Sequence, residues 1–278
     1  MEDFKQTLDR ISPTGSPPSP TTGSTTEDYD RQRAAWANEI PGALKGYDCP
    51  DCRNRGYSMV PDLKGGIVAR RCRCMSLRAA RAAMQRCGIA SDTLDVCTWD
   101  RWETPTRWQE RAREMGRAYV RRCLTEPGFS SWFIAAGRPG CGKTRLCSTV
   151  LREILLGGKR GQYVSWRDFA RQAKGVANDG DRFRALVDPV KRAPILYIDD
   201  LMKNHTTAAD MGLIFEVLNE RYSAGRPTII SSELTIDTVL RGDEAIGSRM
   251  VERSTDFYLD LSRADNYRLK KAEREATP

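Results

Sequence analysis

Gly137-Arg-Pro-Gly-Cys-Gly-Lys-Thr144 has the form G-x-x-x-x-G-K-T, the spacing of a loop that holds phosphate. Gly137, Gly140 and Gly142 let the backbone curl so that its N–H groups face a phosphate chain. Lys143 brings a positive charge to the β- and γ-phosphates, and the Thr144 hydroxyl is placed to ligate Mg²⁺. Such a loop needs a strand before it and a helix after it. Residues 131–136, Ser-Trp-Phe-Ile-Ala-Ala, predict an apolar strand. Residues 143–156 predict a helix with apolar side chains at 146, 150, 151, 154 and 155. A chance glycine-rich turn would not carry both flanks. The expected ligand is a nucleoside triphosphate.

Further along the chain, strands and helices alternate. Strands are predicted at 162–165, 195–198, 227–231 and 256–261. Helices are predicted at 107–124, 166–188 with an interruption near Asn178-Asp-Gly180, 207–223, and 235–252 with a break at Arg241-Gly242. That order predicts an α/β fold with a central parallel sheet covered on both faces. Ile195-Leu-Tyr-Ile-Asp-Asp200 reads as a buried strand whose C-terminal tip carries two acids, the edge at which open α/β sheets bind ligands. Asp199 is the expected partner of Mg²⁺, through water. Asp200 is placed to orient or deprotonate an attacking water. Alone the pattern is weak, because buried strands often end in Asp. With the phosphate loop it describes a P-loop ATPase.

Composition sets outer limits. The chain has 278 residues, of which 40% are hydrophobic, so it can build a sizeable core. No run of about 18 apolar residues predicts a membrane span. The start, Met-Glu-Asp-Phe-Lys-Gln, does not read as a signal peptide. A cytoplasmic protein with no membrane partner is the expectation. The net charge of +8 is compatible with a polyanionic partner without requiring one. Residues 70–86 carry six arginines and no acid. They predict a basic helix over 75–87, which is either a partner surface or a solvated face. Residues 11–26 are rich in Ser, Thr, Pro and Gly and predict a linker or disordered arm, followed by a helix over about 27–40.

Nine cysteines divide into a cluster and five scattered thiols. Cys49-Pro-Asp-Cys52 is followed, after nineteen residues, by Cys72-Arg-Cys74. Four thiolates suit tetrahedral Zn²⁺, and C-x-x-C is a standard ligand pair. The second pair, with one intervening residue, departs from the usual knuckle. Gly46, Gly56, Gly65 and Gly66 supply the turns a small ribbon needs. Four sulfurs fill the coordination sphere, so the role read here is structural. His205, the single histidine, reads as a loop residue. Between the second strand and the acidic strand lie Trp166, Arg167, Phe169, Arg171, Lys174, Arg182, Phe183 and Arg184. Aromatics among cations suit single-stranded DNA, with Arg167, Phe169, Arg171, Lys174 and Phe183 as candidate contacts. An amphipathic helix with its aromatics in the core would read the same way.

The stretch from Asp199 to Glu233, including Ile-Phe-Glu-Val-Leu-Asn-Glu-Arg-Tyr and Gly-Arg-Pro-Thr-Ile-Ile-Ser-Ser-Glu, resembles the bacterial and phage replicative helicase loaders. These are AAA+ ATPases of the DnaC/DnaI type. Glu244-Ala-Ile-Gly-Ser-Arg-Met-Val-Glu252 and Asp265-Asn-Tyr-Arg268 are similar to the same family, so the resemblance spans about residues 45–272. It implies ATP as the nucleotide and ATP hydrolysis that is slow and dependent on assembly or DNA. Lys143 and Thr144 take the Walker A roles, and Asp199 and Asp200 the Walker B roles. Glu233 takes the first-sensor place, where many relatives have Asn. Arg249 resembles an arginine finger acting on a neighbouring subunit, and Arg268 a second-sensor arginine acting from the same chain. Self-association, a replicative helicase and single-stranded DNA are the implied partners. The implied domains are an arm (1–40), a zinc-binding helicase-interaction module with a connector (41–106), and the AAA+ domain (107–278). Two other readings stay open: an ATPase helper of insertion-sequence transposition, which usually lacks the cysteines, and a nucleotide-gated adaptor with little turnover. Asp200, where many AAA+ proteins have Glu, keeps the last one open.

Overall fold

Every residue of strand β3 (Trp132–Gly137) is buried, as a strand covered on both faces must be. The computed structural model describes residues 18–19, 24–45, 48–87, 96–202 and 206–267. They fall into two compact units that divide between Arg78 and Ala79.

In the second unit β3 sits in a five-stranded sheet with β4 (Gly161–Ser165), β5 (Ile195–Leu201), β6 (Thr228–Ser232) and β7 (Tyr258–Leu261). Their order is β4-β5-β6-β3-β7, and every pairing is parallel. Alternate side chains of β3 enter different cores, as the two-residue period of a strand dictates. Phe133 and Ala135 pack with α3 (Arg107–Thr125) and α4 (Lys143–Leu156). Trp132, Ile134 and Ala136 pack with α5 (Trp166–Gly175), α6 (Gly180–Arg192), α7 (Ala208–Ser223), α8 (Ile236–Gly242) and α9 (Glu244–Ser254). The helix predicted over 166–188 is thus two helices. Asp179 caps the second, its side chain accepting from the Arg182 N–H at 3.1 Å. The break predicted at Arg241-Gly242 falls between α8 and α9, where the Asp243 side chain accepts from the Ile246 N–H at 2.9 Å.

The first unit contains α1 (Thr26–Glu39), β1 (Tyr57–Pro61) and β2 (Ile67–Arg71). α2 (Cys74–Cys87) begins at the last clustered cysteine and crosses the division between units. Thr25 and Asp28 close a capping box at the start of α1. β1 and β2 form an antiparallel hairpin. Two α1 residues hold it: Asp30 accepts from the Gly66 N–H at 2.6 Å, and Asn38 exchanges hydrogen bonds with both backbone groups of Met59 at 2.8 Å. Residues 1–17 and 20–23 of the predicted arm, His205 and Arg268 lie outside the described residues, as do Gly46 and the side chains of Arg81 and Arg86. Among the described residues no helix is long and apolar enough to cross a membrane.

Candidate nucleotide site and cysteine cluster

The phosphate loop follows directly from β3. Gly137 has φ +137°, and a Cβ there would lie 2.2 Å from the Leu261 carbonyl carbon, so only glycine lets the ends of β3 and β7 approach. Gly142 ends the loop at φ +97° as the N-cap of α4. Lys143, the first residue of α4, is buried; its ammonium donates to the Gly137 and Arg138 carbonyls, both at 2.8 Å. A phosphate oxygen is a stronger partner for an ammonium than a carbonyl, so those bonds are ones a nucleotide would displace.

The acids sit at the C-terminal tip of β5, beside the loop. Asp199 is buried and ringed by donors. Thr144 Oγ1 lies 3.1 Å away, Tyr197 Oη 2.6 Å and Tyr163 Oη 3.2 Å, and the Ser231 hydroxyl also donates to it. Burial first, and then neighbours including the Asp199 carboxylate, raise the pKa of both tyrosines, so they stay protonated donors. Asp200 breaks the regular strand, with φ +56° at a shift in the β5–β6 register. Its N–H donates to Ser231 Oγ at 3.0 Å. Ser231 therefore braces both acids from the adjacent strand. The Thr144 hydroxyl beside the Asp199 carboxylate is a pair of hard oxygen donors, the chemistry that suits Mg²⁺.

Lys143, Thr144 and Asp200 open onto a cleft of about 370 Å³, which the rest of residues 139–145 and Glu233 also line. Val96, Cys97, Trp102 and Glu103, in the stretch expected to be a connector, form another wall with Gln109 of α3. The indole N–H of Trp102 donates to the Gln109 carbonyl at 3.0 Å, and Arg145 in α4 donates to the Arg101 carbonyl at 2.5 Å. The wall is thereby tied to the loop's own helix. Two tryptophans in a short non-periodic stretch, Trp99 and Trp102, were the available signal.

Arg249 does not line this cleft. It lies on α9 with its guanidinium 5.2 Å from the Phe215 ring and 5.4 Å from the Tyr222 ring, and Nε donates to Asn219 Oδ1 at 3.1 Å. Among the DNA candidates the structure corrects Phe169. It is only 5% exposed and packs with its ring centroid 5.5 Å from that of Trp166, so no base can stack on it. The i, i+3, i+4, i+7 series Trp166, Phe169, Ala170, Ala173 is a core stripe. Phe183 also packs against that core. Arg167, Arg171 and Lys174 are exposed. Arg171 pairs with Asp168 and Lys174 with Asp210.

In the first unit Cys49, Cys52, Cys72 and Cys74 are all buried, with their sulfurs within 4.8 Å of one another. Arg53 and Asn54, both at positive φ, turn the chain just after Cys52. Asn54 Oδ1 accepts from the Cys49 N–H at 2.9 Å, and the Gly56 N–H donates to Cys52 Sγ at 3.3 Å. Burial first, and then the Cys52 sulfur, push the Cys74 thiol up to about 12. Four thiols packed this tightly cannot all ionise without a cation between them. Four convergent sulfurs fit Zn²⁺.

The sequence model of the IstB-like ATP binding protein family matches residues 131–275, more than half of the chain. The phage-like element PBSX protein XkdC of Bacillus subtilis (strain 168) is 30% identical over 81% of this chain and 87% of its own length. The replicative helicase loader DnaC of Escherichia coli (strain K12) is 25% identical over 56% of this chain and 62% of that protein. The crystal structure of DnaI superposes with a TM-score of 0.51 at 18% identity, over 62% of this chain and 93% of that one. The parallel five-stranded sheet with its phosphate loop is an AAA+ P-loop fold.

Proposed function

This chain belongs to the IstB-like ATP-binding protein family, and from that premise we propose that it is a helicase loader. It binds ATP and single-stranded DNA and delivers a replicative DNA helicase onto DNA at the start of replication. One observation carries this reading beyond the family: a buried four-sulfur cluster precedes the ATPase unit. The similarity to a replicative helicase loader supports it. The cluster holds Zn²⁺ through Cys49, Cys52, Cys72 and Cys74, and zinc there stabilises the hairpin fold that grips the helicase. Elemental analysis under reducing conditions is expected to give one zinc per chain. A value near zero would remove the metal. A transposition helper of the same family is the second reading, favoured by the family match itself. Helicase binding separates the two.

At the nucleotide, Lys143 and the loop N–H groups hold the phosphates. Thr144 and Asp199 hold Mg²⁺, which when bound neutralises phosphate charge. Asp200 orients the attacking water, with Glu233 beside it in the cleft. Arg268 acts from the same chain. Arg249, which does not line its own chain's cleft, reaches the nucleotide of a neighbouring copy. Hydrolysis therefore waits on assembly. Asp200→Asn and Arg249→Ala are each expected to bind ATP normally and lose DNA-stimulated turnover by about 100-fold or more. Mixing Arg249→Ala with Lys143→Ala is expected to restore part of the turnover, since one supplies intact sites and the other intact fingers. Full turnover by Arg249→Ala alone would rule out the finger role, and tight ATP binding without turnover in the wild type would rule out the enzyme.

A further inference from the structure

We propose that the exposed strip along β2 binds the phosphate backbone of single-stranded nucleic acid. This deepens the loader reading and rests on it for the identity of the polymer. The strip begins at the hairpin turn and runs to the third cysteine of the cluster. Residues 61–73 hold four cations, Lys64, Arg70, Arg71 and Arg73, against one carboxylate, Asp62. All four cations are exposed. Arg73 pairs with Asp51 at 2.9 Å. The side chains of Lys64, Arg70 and Arg71 make no ion pair or hydrogen bond among the described residues.

The register sets how these groups are presented. Ser58 faces Arg70 across the hairpin and Val60 faces Val68, so those four share one side of the ribbon. Arg71, the next residue, is on the other side. The cations thus straddle one strand, and among the described residues the hairpin has two strands, so β2 forms an edge there. Leu63, fully exposed at the turn, and Val68, 44% exposed, add apolar surface beside them. The hairpin is not a loose arm: Asp30 fixes its turn, Asn38 its first strand and the sulfur cluster its base. A rigid element carrying unneutralised cations beside apolar side chains complements a polyanion whose bases are unstacked.

The contrast with α5 and α6 favours this location. There six of the seven cations, Arg171, Lys174, Arg182, Arg184, Lys191 and Arg192, have a carboxylate partner, namely Asp168, Asp210, Asp179, Asp181, Glu216 and Asp188; Arg167 has none among the described residues. Their large aromatics are in the core.

The test uses the full chain and a labelled oligothymidylate, with anisotropy read over a series of salt concentrations. Replacing Arg70 and Arg71 together by Glu is expected to weaken binding at least tenfold. It should also flatten the log–log salt dependence by about 1.4, at about 0.7 per phosphate contact on a single strand. Replacing both by Lys should preserve binding. Zinc content and DNA-free ATP turnover should match the wild type in both variants, which reports that the fold is intact. Arg167→Ala should change the affinity less than twofold. Unchanged affinity and slope in the Glu variant would overturn the proposal. So would a wild type that binds no oligothymidylate, or a Glu variant that loses only helicase co-purification, which would make the strip a protein-docking surface. Helicase co-purification by the wild type judges the loader reading separately from all of these.

Discussion

Lys143→Ala lowers ATP affinity by about 100-fold or more while the protein keeps its fold. The ammonium is the buried cation of the phosphate loop, and it bonds only carbonyls of the loop, at 2.8 Å each. Losing a charge-assisted partner of the phosphates costs about 3 kcal/mol, which is a little over 100-fold in affinity. The fold is expected to survive because the ammonium's partners are two carbonyls of the loop and no other element depends on it, and Arg138 belongs to the exposed part of that loop. Titration with a fluorescent ATP analogue reads the affinity, and circular dichroism reads the fold. Affinity within threefold of the wild type would mean that the nucleotide does not sit on this loop.

Arg221→Met destabilises the ATPase unit by about 3–5 kcal/mol, the scale for leaving buried polar partners uncompensated. Arg221 is 0% exposed and has no carboxylate partner among the described residues. Its guanidinium donates to Thr228 Oγ1 at 2.9 Å, to the Ala193 carbonyl at 2.7 Å and to the Pro227 carbonyl at 2.6 Å. It also reaches the Val190 and Lys191 carbonyls at 3.3 and 3.2 Å. One side chain thus ties the C-terminal end of α6 to the residues leading into β5 and β6. Burial lowers its pKa to about 9, still above neutrality, so the cation remains charged as it donates. Methionine fills much of the volume but leaves those carbonyls without donors. Thermal unfolding should show a drop in Tm of about 10 °C at this chain length. A shift under 2 °C would mean that the clamp contributes little. Because Arg221 is absent from the cleft lining, ATP affinity at low temperature should not change.

The nucleotide site was legible because its parts carry several signals at once. The phosphate loop joins a motif to a strand and a helix of the right period, and α4 begins and ends at the predicted residues, Lys143 and Leu156. β5 showed itself by four apolar residues running into acids. The wall from Val96 to Glu103 was not legible, because a segment held by scattered side-chain bonds has no period to read. Trp102 faces the cleft through a bond from its indole to a backbone carbonyl, which leaves no trace in spacing. Phe169 was misread for a different reason. A stripe of aromatics at helical spacing looks the same whether it faces a core or a ligand, and only the packing against β5 and α6 decides it. The cysteines declared a cluster, but not that β1 and β2 would lie between its two pairs with their cations exposed.

ATP-dependent loading of a replicative helicase onto DNA decides whether this chain is a loader. Purified chain, a replicative helicase and circular single-stranded DNA coated with its binding protein are combined, and unwinding of an annealed strand is followed. Unwinding is expected to require this chain and ATP, and to be lost when residues 1–78 are removed or Lys143 is replaced by Ala. Unwinding at the same rate with and without the chain, together with no co-purification of helicase, would contradict the loader reading.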